Sequence, residues 1–155
     1  MPNEIRTKPI AAAAFTITLA SLANAAARQS TLITNSNNYP AALIFLLIES
    51  GGTAPTAGAT YDVFLIRSDD HASVVRDDAA GTSDAAITIE NAQLLGSITV
   101  TATINKNFYG VFDTTPLGPL GPTWGIAIKN NSGQALNATE GNHLKHYVYC
   151  VPEVQ

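Results

Sequence analysis

Two runs of sequence have the clearest strand pattern in this chain: Pro40-Ala-Ala-Leu-Ile-Phe-Leu-Leu-Ile-Glu-Ser50 and Thr60-Tyr-Asp-Val-Phe-Leu-Ile-Arg67. Both are rich in β-branched, leucine and aromatic residues, a composition typical of strands. Gly51-Gly52, Pro55 and Gly58 lie between them, which predicts a flexible turn joining two neighbouring antiparallel strands. The first run is apolar at almost every position, so we expect both of its faces to be covered.

Further runs of strand character lie on both sides of this pair. They are Ala13 to Leu22, Arg28 to Thr34, Leu95 to Ile104, Phe108 to Phe112, Thr123 to Lys129 and His143 to Val151. The turn signal Asn105-Lys106-Asn107 predicts a hairpin between the third and fourth of these runs. We therefore expect an all-β protein, an antiparallel β-sandwich of the jelly-roll type with about eight strands. An immunoglobulin-type sandwich is the near alternative, but the chain lacks the Cys…Trp…Cys spacing of that fold.

The length of 155 residues predicts one domain. We place an extended N-terminal arm at residues 1–12 and the sandwich at 13–155, with a long loop at 68–93. Such an arm is ordered where it lies on a neighbour or wraps its own domain. Thr115-Pro-Leu-Gly-Pro-Leu-Gly-Pro122 carries three prolines, which a sheet interior does not accept, so this segment is expected to be a stiff surface loop.

The N-terminal region resembles a signal peptide, because Arg6 and Lys8 precede an apolar, Ala-rich stretch from Ile10 to Ala27. However, Phe15-Thr-Ile-Thr-Leu-Ala20 alternates large apolar residues with small or polar ones, which is a strand pattern. We therefore expect no signal peptide. No apolar run reaches the ~20 residues of a membrane span, so no membrane partner is expected either.

Charged residues make up only 13% of the chain, against roughly 25% in an ordinary soluble domain. Such a composition suits a β protein with many neutral surfaces of small residues, and it also suits a protein whose surface is largely covered by partners. With 8 basic and 12 acidic residues the net charge is −4, which argues against a nucleic-acid partner. Cys150 is the single cysteine, so the chain has neither an internal disulfide nor a multi-cysteine zinc site, and an inert buried thiol is the expected role.

The long loop is acidic, with Asp69, Asp70, Asp77, Asp78 and Asp84. The first four are weak candidates for binding Ca²⁺ through carboxylate oxygens. Their spacing fits no EF-hand, and the chain's own arginines neutralise part of the charge. A solvated or partner-facing loop is therefore the better interpretation. We predict no metal and no cofactor.

The three histidines do not form a catalytic or metal-binding set. His143 and His146 are three residues apart in a predicted strand and therefore point to opposite faces. His71 follows Asp70, but no nucleophile motif accompanies the pair. No Gly-rich phosphate loop follows a strand. A glycan-active enzyme would need a carboxylate pair that adjacent loop residues do not supply. The chain is predicted not to be an enzyme.

Four aromatic residues could form a sugar-binding platform if they were exposed: Trp124, Tyr109, Tyr147 and Tyr149. Aromatic residues make up only 7% of the chain, and Trp124 opens an apolar strand. Packing in the core is therefore the expected role for these side chains.

Four stretches are distinctive as words of sequence: Leu19-Ala-Ser-Leu-Ala-Asn-Ala-Ala-Ala-Arg-Gln-Ser-Thr31, Tyr61-Asp-Val-Phe-Leu-Ile-Arg67, Gly81-Thr-Ser-Asp-Ala-Ala86 and Tyr109-Gly-Val-Phe-Asp-Thr-Thr-Pro-Leu-Gly-Pro-Leu-Gly-Pro-Thr-Trp-Gly-Ile-Ala-Ile128. They resemble a family of small virion structural proteins of tailed bacteriophages. The resemblance extends from about Leu19 to Glu153. It implies a structural role in the virion and leaves head or tail open.

Similar small jelly-roll proteins are cement, or decoration, subunits of phage heads. We expect that role here because the chain offers an arm, a long side loop, a stiff Pro-Leu-Gly loop and low charge. The protein would then be a subunit on the outer capsid surface that bridges capsomers of the major capsid protein, as a homotrimer or another homo-oligomer, made in the host cytoplasm. A tail or host-attachment module that binds carbohydrate is the alternative. For the cement role we expect the arm and the loops to make the contacts. The candidate contact residues are Ile5, Arg6, Lys8, Ile10, Arg67, His71, Arg76, Leu117 and Leu120.

Overall fold

A computed structural model describes residues 5–10, 12–68 and 77–154. Within these residues eleven strands form two antiparallel sheets, which confirms the predicted all-β sandwich. Short 3-10 turns lie at Thr115–Leu117 and Glu140–Asn142. The strands are β1 (Ile5–Pro9), β2 (Ala13–Ala14), β3 (Ala27–Gln29), β4 (Ile33–Thr34), β5 (Ala41–Glu49), β6 (Thr60–Ser68), β7 (Ala85–Ile87), β8 (Gln93–Thr99), β9 (Asn107–Asp113), β10 (Thr123–Asn130) and β11 (Leu144–Val154).

The two sheets are built from nested pairings. Sheet A has the order β1-β11-β5-β9, with β2 also beside β11; sheet B has the order β7-β3-β10-β6-β8, with β4 also beside β10. Strand β6 pairs with β8, β5 with β9, β3 and β4 with β10, and β1 and β2 with β11. The chain is therefore arranged like one long hairpin folded over itself, with its first and last strands side by side.

Strands β5 and β6 lie in different sheets, so the prediction that they are neighbours in one sheet is wrong. Their alternate side chains meet across the core instead: Ile44, Leu46 and Ile48 of β5 and Val63 and Leu65 of β6 are fully buried in one cluster. The period-two apolar pattern is the same for strands that pair edge to edge and for strands that pack face to face. The intervening glycines and Pro55 carry the chain from one sheet to the other.

The predicted hairpin between β8 and β9 is also wrong, because β8 belongs to sheet B and β9 to sheet A. Two glycines let these strands approach each other at the side of the sandwich. A Cβ on Gly110 would lie 2.7 Å from Cγ1 of Ile98, and a Cβ on Gly96 would lie 2.9 Å from Cε1 of Phe112. The sandwich is therefore closed by side chains at this side and not by a hairpin ladder.

The segment Ala13 to Leu22 pairs as a strand only at Ala13–Ala14, where it meets β11. The predicted alternation of buried and exposed side chains is nevertheless confirmed, since Phe15, Ile17 and Leu19 are buried in the core. The predicted strand from Arg28 to Thr34 is divided into β3 and β4, and β7 covers the edge of β3.

The N-terminal arm wraps its own domain in the described part of the chain. Strand β1 pairs with Cys150–Val154 of β11, beyond the point where β5 begins. The arm thus forms one of the two edges of sheet A, and β9 forms the other. Among the described residues no helix is long and apolar enough to cross a membrane.

Candidate interaction surface

Sheet A has an apolar face turned away from the core, which we call the outer face. In β5 the even-numbered residues from Ala42 to Ile48 point into the core, so the odd-numbered ones point outward. The outer face consists of Leu43, Phe45 and Leu47 on β5, Tyr109 and Val111 on β9, and Leu144, His146 and Val148 on β11.

Strand register places these residues in contiguous rows. Leu47 lies between Tyr109 and Leu144, and Phe45 lies between Val111 and His146. Tyr109 is 63% exposed, and Val111 and Leu144 are each 48% exposed. Three strands about 4.8 Å apart, each with five residues that rise about 3.4 Å apiece, give a flat area of about 240 Å².

The outer face of sheet B is covered, in contrast, by the chain's own long loop. Leu32, Ile66 and Ala127 form a second small buried cluster on that face. The residues packed against it are Phe64, Ala79, Ile87 and Ile89, three of which come from the loop. Each sheet thus has an apolar outer face, and the described loop residues cover only that of sheet B.

Gln29 holds this loop from inside sheet B. Its side chain is fully buried, and its Nε2 donates hydrogen bonds to the carbonyl oxygens of Gly81 at 2.9 Å and Ser83 at 2.7 Å. Its Oε1 accepts from the backbone N–H of Ala80 at 2.7 Å. Because the buried amide of Gln29 makes three hydrogen bonds with backbone groups of one loop, it fixes the position of that loop.

Two loop carboxylates are also bound to the chain itself. Asp84 accepts from Nε of Arg28 at 2.5 Å and from the hydroxyl of Thr18 at 2.6 Å. Burial alone would raise the pKa of Asp84, but these hydrogen bonds and the Arg28 charge outweigh it and lower the pKa. Asp78 accepts three backbone N–H bonds, from Glu90, Asn91 and Ala92, which outweigh the effect of burial and lower its pKa.

The described part of the acidic loop is therefore bonded to the chain's own fold. Its residues 77–92 are all exposed or half-buried, in keeping with a solvated loop, and a contact between this loop and a partner stays a prediction. Asp77 accepts the backbone N–H of Arg67 at 3.2 Å, and Asp78 is occupied by N–H donors, so neither offers a free carboxylate to Ca²⁺. The residues described contain no cluster of three or more potential metal ligands. Asp69, Asp70, His71 and Arg76 lie outside the described residues.

The candidate contacts of the Pro-Leu-Gly loop are directed inward. Leu120 is fully buried in the core, so it has no surface to offer to a partner. Leu117 packs partly buried against the core, and its contact with a partner stays a prediction. Arg67 ties this loop down, donating from its guanidinium to the carbonyl oxygen of Leu117 at 3.0 Å and to Gln93. Apolar residues in a loop pack inward when the loop caps the open end of a sandwich.

The arm contributes little described side-chain surface. Ile10 packs partly buried against the core, and Lys8 is exposed on β1. The backbones of Ile5 and Arg6 belong to β1, while their side chains lie outside the described part.

The aromatic residues are divided between the core and the outer face. Trp124 is fully buried, and its indole N–H donates to the hydroxyl of Tyr149 at 3.0 Å. Tyr147 packs edge-on against Trp124, and burial, followed by the neighbouring Tyr149, raises the pKa of Tyr147 to about 12. The predicted core role is confirmed for these three residues. Tyr109 alone of the four candidates is exposed, so they form no sugar-stacking platform.

The described titratable groups near the core have structural partners. His143 is buried, with Nδ1 accepting the N–H of Glu49 and Nε2 donating to the carbonyl oxygen of Asn137, each at 3.2 Å. Burial lowers the pKa of His143, so the neutral ring is the favoured form. Cys150 is half-buried, and burial raises its pKa, which keeps the thiol protonated.

The outer face was missed because its signal was assigned to the chain's own fold. The apolar run of β5 predicts covering on both faces, and the described residues cover one of them. The other face is the half of the same apolar pattern that the described residues leave uncovered.

Comparisons with known proteins identify no family for this chain. No protein-family model matches it, and a search of curated proteins found no match.

Proposed function

We propose that this chain is a non-enzymatic cement, or decoration, subunit on the outer surface of a bacteriophage head, where it bridges capsomers of the major capsid protein as a homo-oligomer. The resemblance of the sequence to small virion proteins suggests the phage head, and one structural observation supports a contact surface. The outer face of sheet A is apolar across three adjoining strands, and no described residue of the chain covers it. At about 240 Å² the face is no larger than the largest apolar patch of a typical monomer, about 300 to 600 Å², and patches of that kind are often functional.

The size of this face favours binding by many copies. Burial of about 240 Å² contributes about 6 kcal/mol at 25 cal/mol per Å². Association costs about 4 kcal/mol or more, so one face alone leaves a weak contact. On a repeating shell, linked copies bind with an effective concentration that compensates for weak single contacts. A homo-oligomer that bridges capsomers meets this requirement.

We further infer that the nested pairings of sheets A and B have jelly-roll connectivity. Grouping β1 with β2 and β3 with β4, and leaving out the short β7, gives eight strands paired first with last and inward from there. A double-sheet jelly roll also has eight strands in two sheets. Such a sandwich is a rigid body, which is what a subunit that locks a shell needs.

Purified heads that lack this protein provide the test. Addition of the protein should raise the melting temperature of the shell, because a ligand that binds only the native assembly stabilises it by mass action. Leu144→Lys places a charge on the outer face and should abolish most of the rise. Leu94→Lys is the matched control, because Leu94 is 51% exposed on β8 of the other sheet.

Heads that melt at the same temperature with and without the protein would refute the proposal. Equal losses from Leu144→Lys and Leu94→Lys would show that the outer face is not the contact. Localisation of the labelled protein on tails by electron microscopy would instead favour the attachment module, for which Tyr109 is the one exposed aromatic candidate on the outer face.

A further inference from the structure

The free edge of sheet A runs along β9. Thr114 follows β9 directly, and its N–H donates to the carbonyl oxygen of Ala42 at the start of β5 at 3.1 Å. Because backbone groups alternate in direction along a strand, even-numbered residues of β9 hydrogen-bond to β5. The N–H and C=O groups of Asn107, Tyr109, Val111 and Asp113 therefore point away from the sheet. No strand among the described residues pairs with them.

The opposite side of the same sheet is protected against strand pairing. Ile10 donates its N–H to the carbonyl oxygen of Tyr149 at 2.8 Å, so the preceding residue in β1, Pro9, has its nitrogen at the free edge. Strand β5 pairs with β11 only as far as Cys150. Beyond that point, the nitrogen of Pro152 in β11 is directed away from β1, to the side where β5 has ended. Proline at such positions removes the donor that an added strand would need. Strand β9 has neither proline nor lysine.

The geometry points to a two-fold pair of this chain in which β9 of one copy lies antiparallel to β9 of a second copy. The occupant of the free edge is a second copy because the exposed residues of β9 complement themselves. With the two Gly110 residues at the two-fold axis, all seven residues of each strand are paired. The outward-pointing backbone groups then face one another in four hydrogen-bonded pairs.

The side chains on the outer face agree with this register. Tyr109 of one copy lies opposite Val111 of the second copy, and an aromatic residue opposite a β-branched one is a stabilising cross-strand pair. Asp113 lies opposite Asn107 of the second copy, so each carboxylate meets an amide donor and not another carboxylate. A shift of two residues in either direction leaves residues unpaired and places Tyr109 opposite itself or opposite Asp113.

The pair has a consequence for the outer face. The two-fold axis is perpendicular to the sheet, so both outer faces lie on the same side and form one surface of twice the area. The paired strands are about 24 Å long, and a contact limited to one strand from each copy buries an area near the low end for protein interfaces. We therefore expect association that depends on concentration. The pair does not require a shell, and its test is independent of the shell-binding test.

Sedimentation equilibrium of the purified protein from about 5 to about 500 μM, the range in which weak pairs form, tests the proposal. The mass should rise from that of the 16.2 kDa chain to twice that value. Val111→Lys should weaken association about tenfold, because two symmetric cross-strand pairs are lost. Leu144→Lys is the matched control with the same 48% exposure, and it should still form pairs while losing shell binding.

The register has its own test in Asn107. Asn107→Asp puts two carboxylates opposite each other and should weaken the pair in a salt-sensitive way, whereas Asn107→Lys should not. A protein that stays monomeric at the highest concentration would overturn the proposal. So would equal weakening by Val111→Lys and Leu144→Lys, or equal dissociation constants for the two Asn107 variants.

Discussion

Replacement of Gln29 should release the loop that covers sheet B. Gln29→Leu keeps a similar side-chain volume but removes both donated hydrogen bonds and the accepted one. The carbonyl oxygens of Gly81 and Ser83 and the N–H of Ala80 then lose their partners. The change tests whether the described loop belongs to the fold or is free to serve a partner.

The expected cost follows from three backbone groups that lose a buried side-chain partner. At about 1 kcal/mol for each hydrogen bond, the free energy of unfolding should fall by about 3 kcal/mol. For a domain of this size about 1 kcal/mol corresponds to roughly 2 to 4 °C, so the melting temperature should fall by roughly 6 to 12 °C.

Two measurements should agree on this effect. Thermal unfolding gives the melting temperature, and hydrogen exchange reports whether the amide of Ala80 loses protection. Gln29→Glu adds a second variant, since a carboxylate still accepts from Ala80 but repels the carbonyl oxygens of Gly81 and Ser83. Its stability should recover in part as the pH is lowered from about 7 to about 5, because burial raises the pKa of a carboxyl group and the neutral acid can donate.

Gln134→Leu is the control, because Gln134 is half-buried and its side chain makes no described hydrogen bond. It should change the melting temperature by less than about 2 °C. If Gln29→Leu unfolds within about 2 °C of the wild type, the three hydrogen bonds do not hold the loop and the reasoning fails.

Two further predictions concern the pH dependence of the fold and the closed side of the sandwich. Since the pKa of His143 is lowered in the folded state, the unfolded state binds more protons below about pH 6.5, and stability should fall from there as the pH drops toward the folded pKa. Urea unfolding at about pH 7 and about pH 5 gives the loss in unfolding free energy between the two pH values. This loss should be smaller in His143→Gln than in the wild type, and unchanged in His146→Gln, an exposed control. An equal loss in both variants would contradict the prediction. Gly110→Ala should cost about 1 to 3 kcal/mol, because the new Cβ would lie 2.7 Å from Ile98. Gly52→Ala, with nothing within 4 Å, should be neutral in the same unfolding assay, and equal stability of the two variants would refute the close approach.

The amino-acid sequence determined the fold class and most of the strands. Alternation of apolar residues in a strand is a local property, so β5, β6 and β10 and the buried set Phe15, Ile17 and Leu19 could be predicted from it. The turn at Asn35 to Asn38 is local in the same sense, and Asn38 adopts a φ of 51° there.

The partners of those strands could not be predicted from the same signal. A period-two pattern says that one face is buried and does not say which strand lies against it. Two predicted hairpins therefore became contacts between sheets. Leu117 and Leu120 were expected on the surface because prolines and glycines surround them, but the tertiary structure places them against the core.

The outer face shows the same difference between a local pattern, which could be predicted, and a tertiary contact, which could not. That β5 is apolar on both faces follows from its residues, because hydrophobicity is a property of each side chain. Which of the two faces remains open follows from the fold, because covering depends on where distant segments pack. The loop held by Gln29 reaches sheet B, and the described residues leave the outer face of sheet A uncovered.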